Sequence, residues 1–468
     1  VGALVGVLVG AAACTGGGQA EAGGETDEET GPIFDPPPPE CGNGYLEEGE
    51  QCDDANLDEG DGCDGQCRIP CGLLWEATVP STDAEAEPQV VDMAVGPGGE
   101  IVVAGTLDAL SSELDDDLWI GAFDEAGAPL WSSVLDPQQD LDQVAAGVAV
   151  APDGSVYLAA TLDLGPEQAD ATDIWVARLD ASGTEQWSAS FSGPVEGSKD
   201  AAGGIALTPA GNPLVSGHQR VADKDGDVWV AELAADDGAQ LWSTTWSGTI
   251  ADNGYSLDRG GPVEVAADGT IWTLAVEYVD YQTFDAHLLA FDPSGVPLGD
   301  WAPHVDESPG HEHVPAGLSV DAAGRVYFGV ARLGPGATFW LHALVEGELA
   351  WVREMDGFVD EGEDWTLGGV AAAPASGSAP EGGVFCGGTL LRDEKEDAWR
   401  EGWMHRLDLL GGAICEVRYV PAGVSLLRPN LFVHSIAAAG DGELLIAAGR
   451  VADIEDQRSF WVGAFRGP

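Results

Sequence analysis

A tryptophan-centred segment recurs along most of this chain: DLWIGAFD around Trp119, DIWVARLD around Trp175 and DVWVAELA around Trp229. Looser copies follow, as DAHLLAFD at His287, TFWLHALV at Trp340, EGWMHRLD at Trp403 and SFWVGAFR at Trp461. Seven copies at a period in the fifties of residues restrict the fold to architectures whose units bury their faces against one another. A second apolar segment precedes each copy, as in EIVVAGT, SVYLAAT, TIWTLAV, RVYFGVA and ELLIAAG. Asp-Gly pairs such as Asp153-Gly154 and Asp441-Gly442 introduce it, and they suit hairpins because glycine takes positive φ at little cost. Before it lies a strand of small residues (AGVAVAP, GGIALTP, AGLSVDA). After the tryptophan-centred segment come a glycine turn and a fourth strand: PLWSSVL at Trp131, EQWSASF at Trp187, QLWSTTW at Trp242 and LAWVREM at Trp351.

Four strands per unit, none able to bury both faces alone, predict the blades of a β-propeller. The last repeat stops after three strands, while GLLWEATV around Trp75 is a lone fourth strand near the start. Pairing the two completes a seventh blade and leaves no open sheet edge between the first and last repeats. The predicted fold class is therefore all-β, a seven-bladed propeller over residues 72–468 closed by its N-terminal strand. The 66 glycines, 28 prolines and 44% hydrophobic content fit many short strands around a packed core. These repeats resemble the bacterial β-propeller repeat of many surface proteins, and LDASGTEQW and LAADDGAQLW look like quinoprotein-type repeats. Regular recurrence of tryptophan at both positions reads as packing between blades.

Residues 1–13, VGALVGVLVGAAA, form an apolar run ending in small residues, directly followed by Cys14. This is the layout of a signal-peptide core and cleavage site, too short to span a bilayer. It resembles a bacterial lipoprotein signal, which implies lipidation of Cys14 and, with Thr15 following, an outer-membrane destination on the cell-surface or periplasmic face. Residues 14–40 are rich in Gly, acid and Pro with too little apolar matter to fold, a disordered tether stiffened by the proline run at 36–39.

Residues 41–71 carry five cysteines, Cys41, Cys52, Cys63, Cys67 and Cys71, a density that in an exported chain reads as a disulfide-rich module. The string CGNGYLEEGEQCDDANLDEGDGCDGQC resembles the cysteine-rich repeat common in myxobacterial surface proteins. The resemblance implies that Cys41, Cys52, Cys63 and Cys67 pair among themselves, with three connectivities open. Asp53, Asp54, Asn56, Asp58, Asp61 and Asp64 stand among glycines here, and close-set hard oxygen donors can hold calcium. The series does not follow an EF-hand, and solvated turn residues are the favoured reading.

Within the predicted propeller, Cys386 falls in a second strand and Cys415 takes the tryptophan position of a fourth. A third strand would separate them by about 9.6 Å, beyond disulfide reach. Pairing of Cys71 with Cys415, on the outer strands of adjacent blades, is the alternative. Asp223, Asp225 and Asp227 offer a second calcium loop, although acids at the same place in other repeats, such as Asp115 to Asp117, favour a general connecting loop. His304, His311 and His313 cluster between the fourth and fifth blades, where His311 and His313 could share a metal with Asp306 or Glu312; a merely hydrophilic loop is preferred.

Eighty-one acidic against 18 basic residues give a formal charge of −63, a field that repels phosphate backbones and argues against nucleic acid as partner. No sequence motif names a catalytic set. The expectation is a non-catalytic, monomeric surface lipoprotein that binds or scaffolds an envelope protein or polysaccharide, with calcium the only cofactor in view. The alternatives are a quinoprotein-like or lyase-type enzyme working in the central channel, and a calcium-dependent adhesin.

Overall fold

A computed structural model describes Cys41, residues 71–80 and residues 86–466. Within the last range it leaves out 110–115, 138–140, 166–170, 223–224, 249–255, 281–282, 302–311, 334–337, 356–362, 375–381, 395–396, 422–430, 440–443 and 453–457. The sheets are antiparallel and radiate as seven blades. The first has the inner strand Ala86–Val95, then Ile101–Ala109, Asp117–Phe123 and the outer strand Pro129–Leu135. Five further blades repeat this order in sequence, the fourth and fifth touching through one parallel pair, Phe284 with Glu312. The seventh is assembled from both ends of the chain: Leu431–Ala439, Leu444–Ala452 and Arg458–Arg466 are completed by Leu73–Pro80 as outer strand. Trp75 faces Ala464 and Thr78 faces Trp461 across that ladder, and the Arg466 amide donates to the Gly72 carbonyl at 2.9 Å. The ring closure read from the orphan strand is the one observed.

Two tryptophan series join the blades. Those of the third strands pack backwards onto the preceding blade: Trp119 stacks on Phe460 at 3.8 Å, Trp403 on Phe339 at 5.1 Å and Trp461 on Tyr419 at 5.7 Å. Those of the outer strands pack forwards over the hairpin turn of the next blade. Trp75 lies over Gly127, Trp131 over Gly183, Trp187 over Gly238, Trp242 over Gly295 and Trp351 over Gly411. Gly127 shows why the turn needs glycine: its φ is +79°, and a Cβ there would stand 2.4 Å from the Trp75 ring. Three of these indoles also donate to turn carbonyls, Trp75 to Glu125 at 2.9 Å, Trp187 to Ala235 at 2.9 Å and Trp351 to Leu409 at 2.7 Å.

The sixth blade cannot repeat this contact. Its forward neighbour is the seventh, whose third and fourth strands, Arg458–Arg466 and Leu73–Pro80, are not consecutive in sequence, so no hairpin turn joins them to carry the ring. Cys415 stands in the tryptophan position and is bonded to Cys71, with Cα atoms 6.4 Å apart. Cys386 is a free, buried thiol, which burial pushes up to about 12, leaving it protonated and inert. Cys41 is disulfide-bonded. Cys14, Cys52, Cys63, Cys67 and the module acids Asp53, Asp54, Asn56, Asp58, Asp61 and Asp64 lie outside the described residues, as do Asp223, His304, Asp306 and His311.

Candidate functional site

The inner strands share one irregularity that shapes the centre of the ring. Each carries a bulge, at Val90/Asp92, Ala145/Gly147, Ala202/Gly204, Gly260/Val263, Pro315/Gly317, Leu367/Gly369 and Val433/Ser435. An extra residue breaks the ladder locally and bends the strand. Hydroxyls of neighbouring blades satisfy the freed amides: Thr106 accepts from Ala145 N at 3.1 Å, Thr161 from Ala202 N at 3.1 Å and Thr389 from Val433 N at 3.0 Å. Backbones of adjacent blades meet here so closely that a Cβ on Gly203 would come within 2.0 Å of the Gly260 carbonyl oxygen. The run of glycine and alanine in these strands is the sequence consequence.

Residues at and after the bulges line an axial cavity of about 580 Å³ to which all seven blades contribute. Its wall is mostly Gly, Ala, Val, Ile, Leu and Pro, and three titratable side chains interrupt it among the described residues: Asp92, Glu264 and His434. Asp92 is fixed in place. Its carboxylate accepts from Met93 N at 2.8 Å and Val148 N at 2.9 Å, with the Ser435 hydroxyl at 3.5 Å. It thereby ties the seventh, first and second blades together. Burial raises its pKa to about 6 in spite of these bonds. Glu264 sits where the first and second blades have Ala94 and Ala149, accepts no hydrogen bond from the described residues, and is pushed up to about 8 by burial and then by the charge of Asp92. His434 is the bulged residue of its strand, stacked on Phe432 at 5.9 Å, and burial lowers it to about 4, so its ring is neutral.

A second polar cluster replaces a tryptophan. His287 occupies the third-strand position that Trp119 holds in the first blade and packs on Trp246 at 5.2 Å. Its Nε2 lies 2.8 Å from Glu277 Oε2 and its Nδ1 2.8 Å from Asp300 Oδ1. Burial alone would lower its pKa, but the hydrogen bonds to Asp300 and Glu277 prevail and raise it to about 9. Its contribution to stability is therefore complete below the unfolded value near 6.5 and is lost as pH rises through 9. The unfolding free energies of the wild type and His287→Asn, from urea titration, should differ by on the order of 3 kcal/mol more at pH 6 than at about pH 10. Taking the difference removes the contribution of Glu264, which titrates in the neighbouring range. Parallel curves would contradict a charged His287.

The residues singled out by sequence are dispersed. His313 is not in a loop but in the strand Glu312–Val320, buried against Trp340 at 6.0 Å and 3.6 Å from Asp285. A metal shared in a solvent loop does not describe it, because the side chain is drawn into the interface between the fourth and fifth blades. Asp225 and Asp227 begin the strand Asp225–Leu233. Burial first, then the charge of Asp225, raises Asp227. Among the described residues no three His, Cys, Asp or Glu side chains converge to hold a metal. Neither Asp92, Glu264 nor His434 stands out in the sequence, where the available signal is a titratable residue at positions that most other repeats fill with glycine, alanine or another uncharged residue.

The sequence model of a family described as outer membrane protein assembly factor BamB matches residues 116–275, about a third of the chain. No curated protein sequence matches. Among solved structures, a protein of unknown function from Dyadobacter fermentans is similar with TM-score 0.49 and 11% identity, covering 85% of this chain and 99% of its own. Quinohemoprotein alcohol dehydrogenase from Comamonas testosteroni aligns with TM-score 0.43 and 13% identity, over 85% of this chain and 77% of its own. An α-L-arabinanase of Penicillium chrysogenum gives 0.43 and 11%, over 68% and 92% respectively.

Proposed function

We propose that this chain is an envelope lipoprotein, anchored through Cys14, that binds or scaffolds another envelope protein with the rim of its propeller. One observation carries the reading. Among the described residues nothing pairs with the outer edge of any outer strand, and four of these strands present a leucine at the same place, Leu74, Leu130, Leu241 and Leu298, exposed by 40%, 55%, 54% and 60%. Each is the extra residue of an outer-strand bulge, just before the position of the interblade tryptophan, so the blade core has no use for it. Soluble chains usually blunt such edges with lysine or proline, and repeated apolar groups on open edges suit addition of a partner strand or apolar packing. The similarity of residues 116–275 to a family described as an outer membrane assembly factor supports the same kind of work. The acidic tether of residues 14–40 would hold the ring clear of the bilayer.

The test is capture from envelope extracts with the full chain against a triple variant, Leu130→Glu, Leu241→Glu and Leu298→Glu. These exposed sites should tolerate the change with stability within about 0.5 kcal/mol per site. Loss of at least roughly tenfold in recovery of one defined envelope protein, at unchanged thermal midpoint, is expected. Equal recovery by both chains would end the rim reading.

A further inference from the structure

We propose that Arg400, Arg450 and Arg458, gathered where the sixth and seventh blades meet at one mouth of the axial cavity, bind the oxyanion group of a small ligand. The site is separate from the rim and does not depend on what the rim binds. Its centre is Phe432, in the inner strand of the seventh blade just before that strand's bulge. The guanidinium carbon of Arg450 lies 4.0 Å from the centre of the Phe432 ring, and that of Arg400, reaching across from the sixth blade, lies 4.6 Å from it. Arg458 stands two residues before Phe460, the third-strand partner of Arg450, and so projects from the same face of the sheet as a diagonal neighbour about 7–8 Å off. Burial, and after it the positive charge of Arg458, holds Arg450 below the usual guanidinium range. On the cavity side His434 stacks against Phe432 at 5.9 Å. It is the first residue of this strand to line the cavity, and its buried Nε2 has no hydrogen-bond partner among the described residues.

These residues are not what the fold needs there. Thr106, Thr161 and Thr389 hold the place of Arg450 in the first, second and sixth blades, and each accepts the bulge amide of the following blade. An arginine has no acceptor to offer, so Arg450 gives up that contact between blades. Arg400 and Arg458 share one place in successive blades, three residues before Trp403 and Trp461, where the first three blades have Asp116, Thr172 and Gly226. Three like charges converging on one ring repel, and an anion among them relieves it. The ring holds Arg400 and Arg450 through its π face, a contact that does not consume their N–H groups. The guanidinium fork grips carboxylate, sulfate and phosphate oxygens in pairs. Glu401, next to Arg400, is directed to the opposite face, where it lies 3.9 Å from Arg418. Arg400 itself makes no ion pair among the described residues. Long polyanions meet the field of the whole acidic chain and are repelled, so the ligand is compact, with one carboxylate, sulfate or phosphate group.

The experiment is calorimetric titration of the full chain at about pH 7 with sodium acetate, sodium sulfate and sodium phosphate in separate arms, sodium chloride holding the ionic strength at a roughly physiological value. Wild type is compared with Arg400→Gln and Arg450→Thr. The second variant restores the residue of the first, second and sixth blades, so it should melt no lower than the wild type, which separates binding from folding. The wild type should take up one equivalent saturably in at least one arm, and the arm with the tightest binding names the oxyanion. Both variants should bind that anion at least roughly tenfold more weakly. Absence of saturable binding by the wild type in all three arms, or equal affinity of the wild type and both variants, would overturn the proposal.

Discussion

Serine at both Cys71 and Cys415 should lower the free energy of unfolding by about 4 to 5 kcal/mol, more than most single disulfides contribute. The bond spans 344 residues, so in the chain-entropy view it removes nearly the largest loop this molecule offers from the unfolded ensemble. It also sits where the repeat has no substitute. At five of the other blade junctions an outer-strand tryptophan lies over the next blade's turn; between the sixth and seventh blades the covalent bond takes over that contact. For a domain of this size the melting point should fall on the order of 5 °C. Denaturant unfolding of the double variant, and of the wild type with and without reductant, checks this. An unchanged midpoint in all three would mean that the bond contributes nothing to the difference between folded and unfolded states.

Removal of residues 1–80 should have a larger effect still. The strand Leu73–Pro80 covers the Arg458–Arg466 edge, and Glu76 accepts from Trp461 Nε1 at 3.0 Å and from the Tyr419 hydroxyl at 2.8 Å. Without it Trp461 and Phe465, both fully buried, lose their cover, and the disulfide is lost with Cys71. Two large aromatics uncovered at an open edge cost several kcal/mol each, about 3 to 5 by analogy with truncation in cores, which approaches the whole stability of a domain. The truncated chain should aggregate. A permuted chain carrying residues 72–80 after Pro468 on a short glycine-serine linker, with Cys71 retained ahead of them, should be monomeric again, with the Cys71–Cys415 bond in place. Size-exclusion chromatography and near-ultraviolet circular dichroism of the two chains make the comparison. A soluble, cooperatively folding truncation would show that the seventh blade stands on three strands.

The ring was legible because its signals are additive. Seven tryptophan-centred strands, glycine turns at a fixed offset and a lone strand facing an incomplete repeat all point to one closure, and local preference agrees with the global fold. Cys71 and Cys415 could be matched because Cys71 directly precedes the outer strand of one blade and Cys415 falls on the outer strand of its neighbour, and Cys415 displaces a tryptophan whose usual neighbour is a turn. The channel was not legible. Asp92, Glu264 and His434 are one residue each in three different repeats, and a single charge in an apolar strand reads as an outward-facing side chain until the bulge is known to turn it to the axis. The exposed leucines were hidden for a related reason: in PLWSSVL, Leu130 reads as part of a strand, whereas the bulge makes it an extra residue with no place in the core. His313 was misplaced because histidines two apart beside acids suggest a ligand loop, and only the register of Glu312–Val320 shows one of them drawn inside.

Hydrogen exchange read by mass spectrometry on the intact, oxidised chain addresses the closure itself. Amides of residues 73–80 should exchange as slowly as those of 458–466, and on adding denaturant both segments should lose protection together. Exchange of 73–80 within seconds, while the strands of the other blades stay protected, would mean that the circle is not closed by this strand.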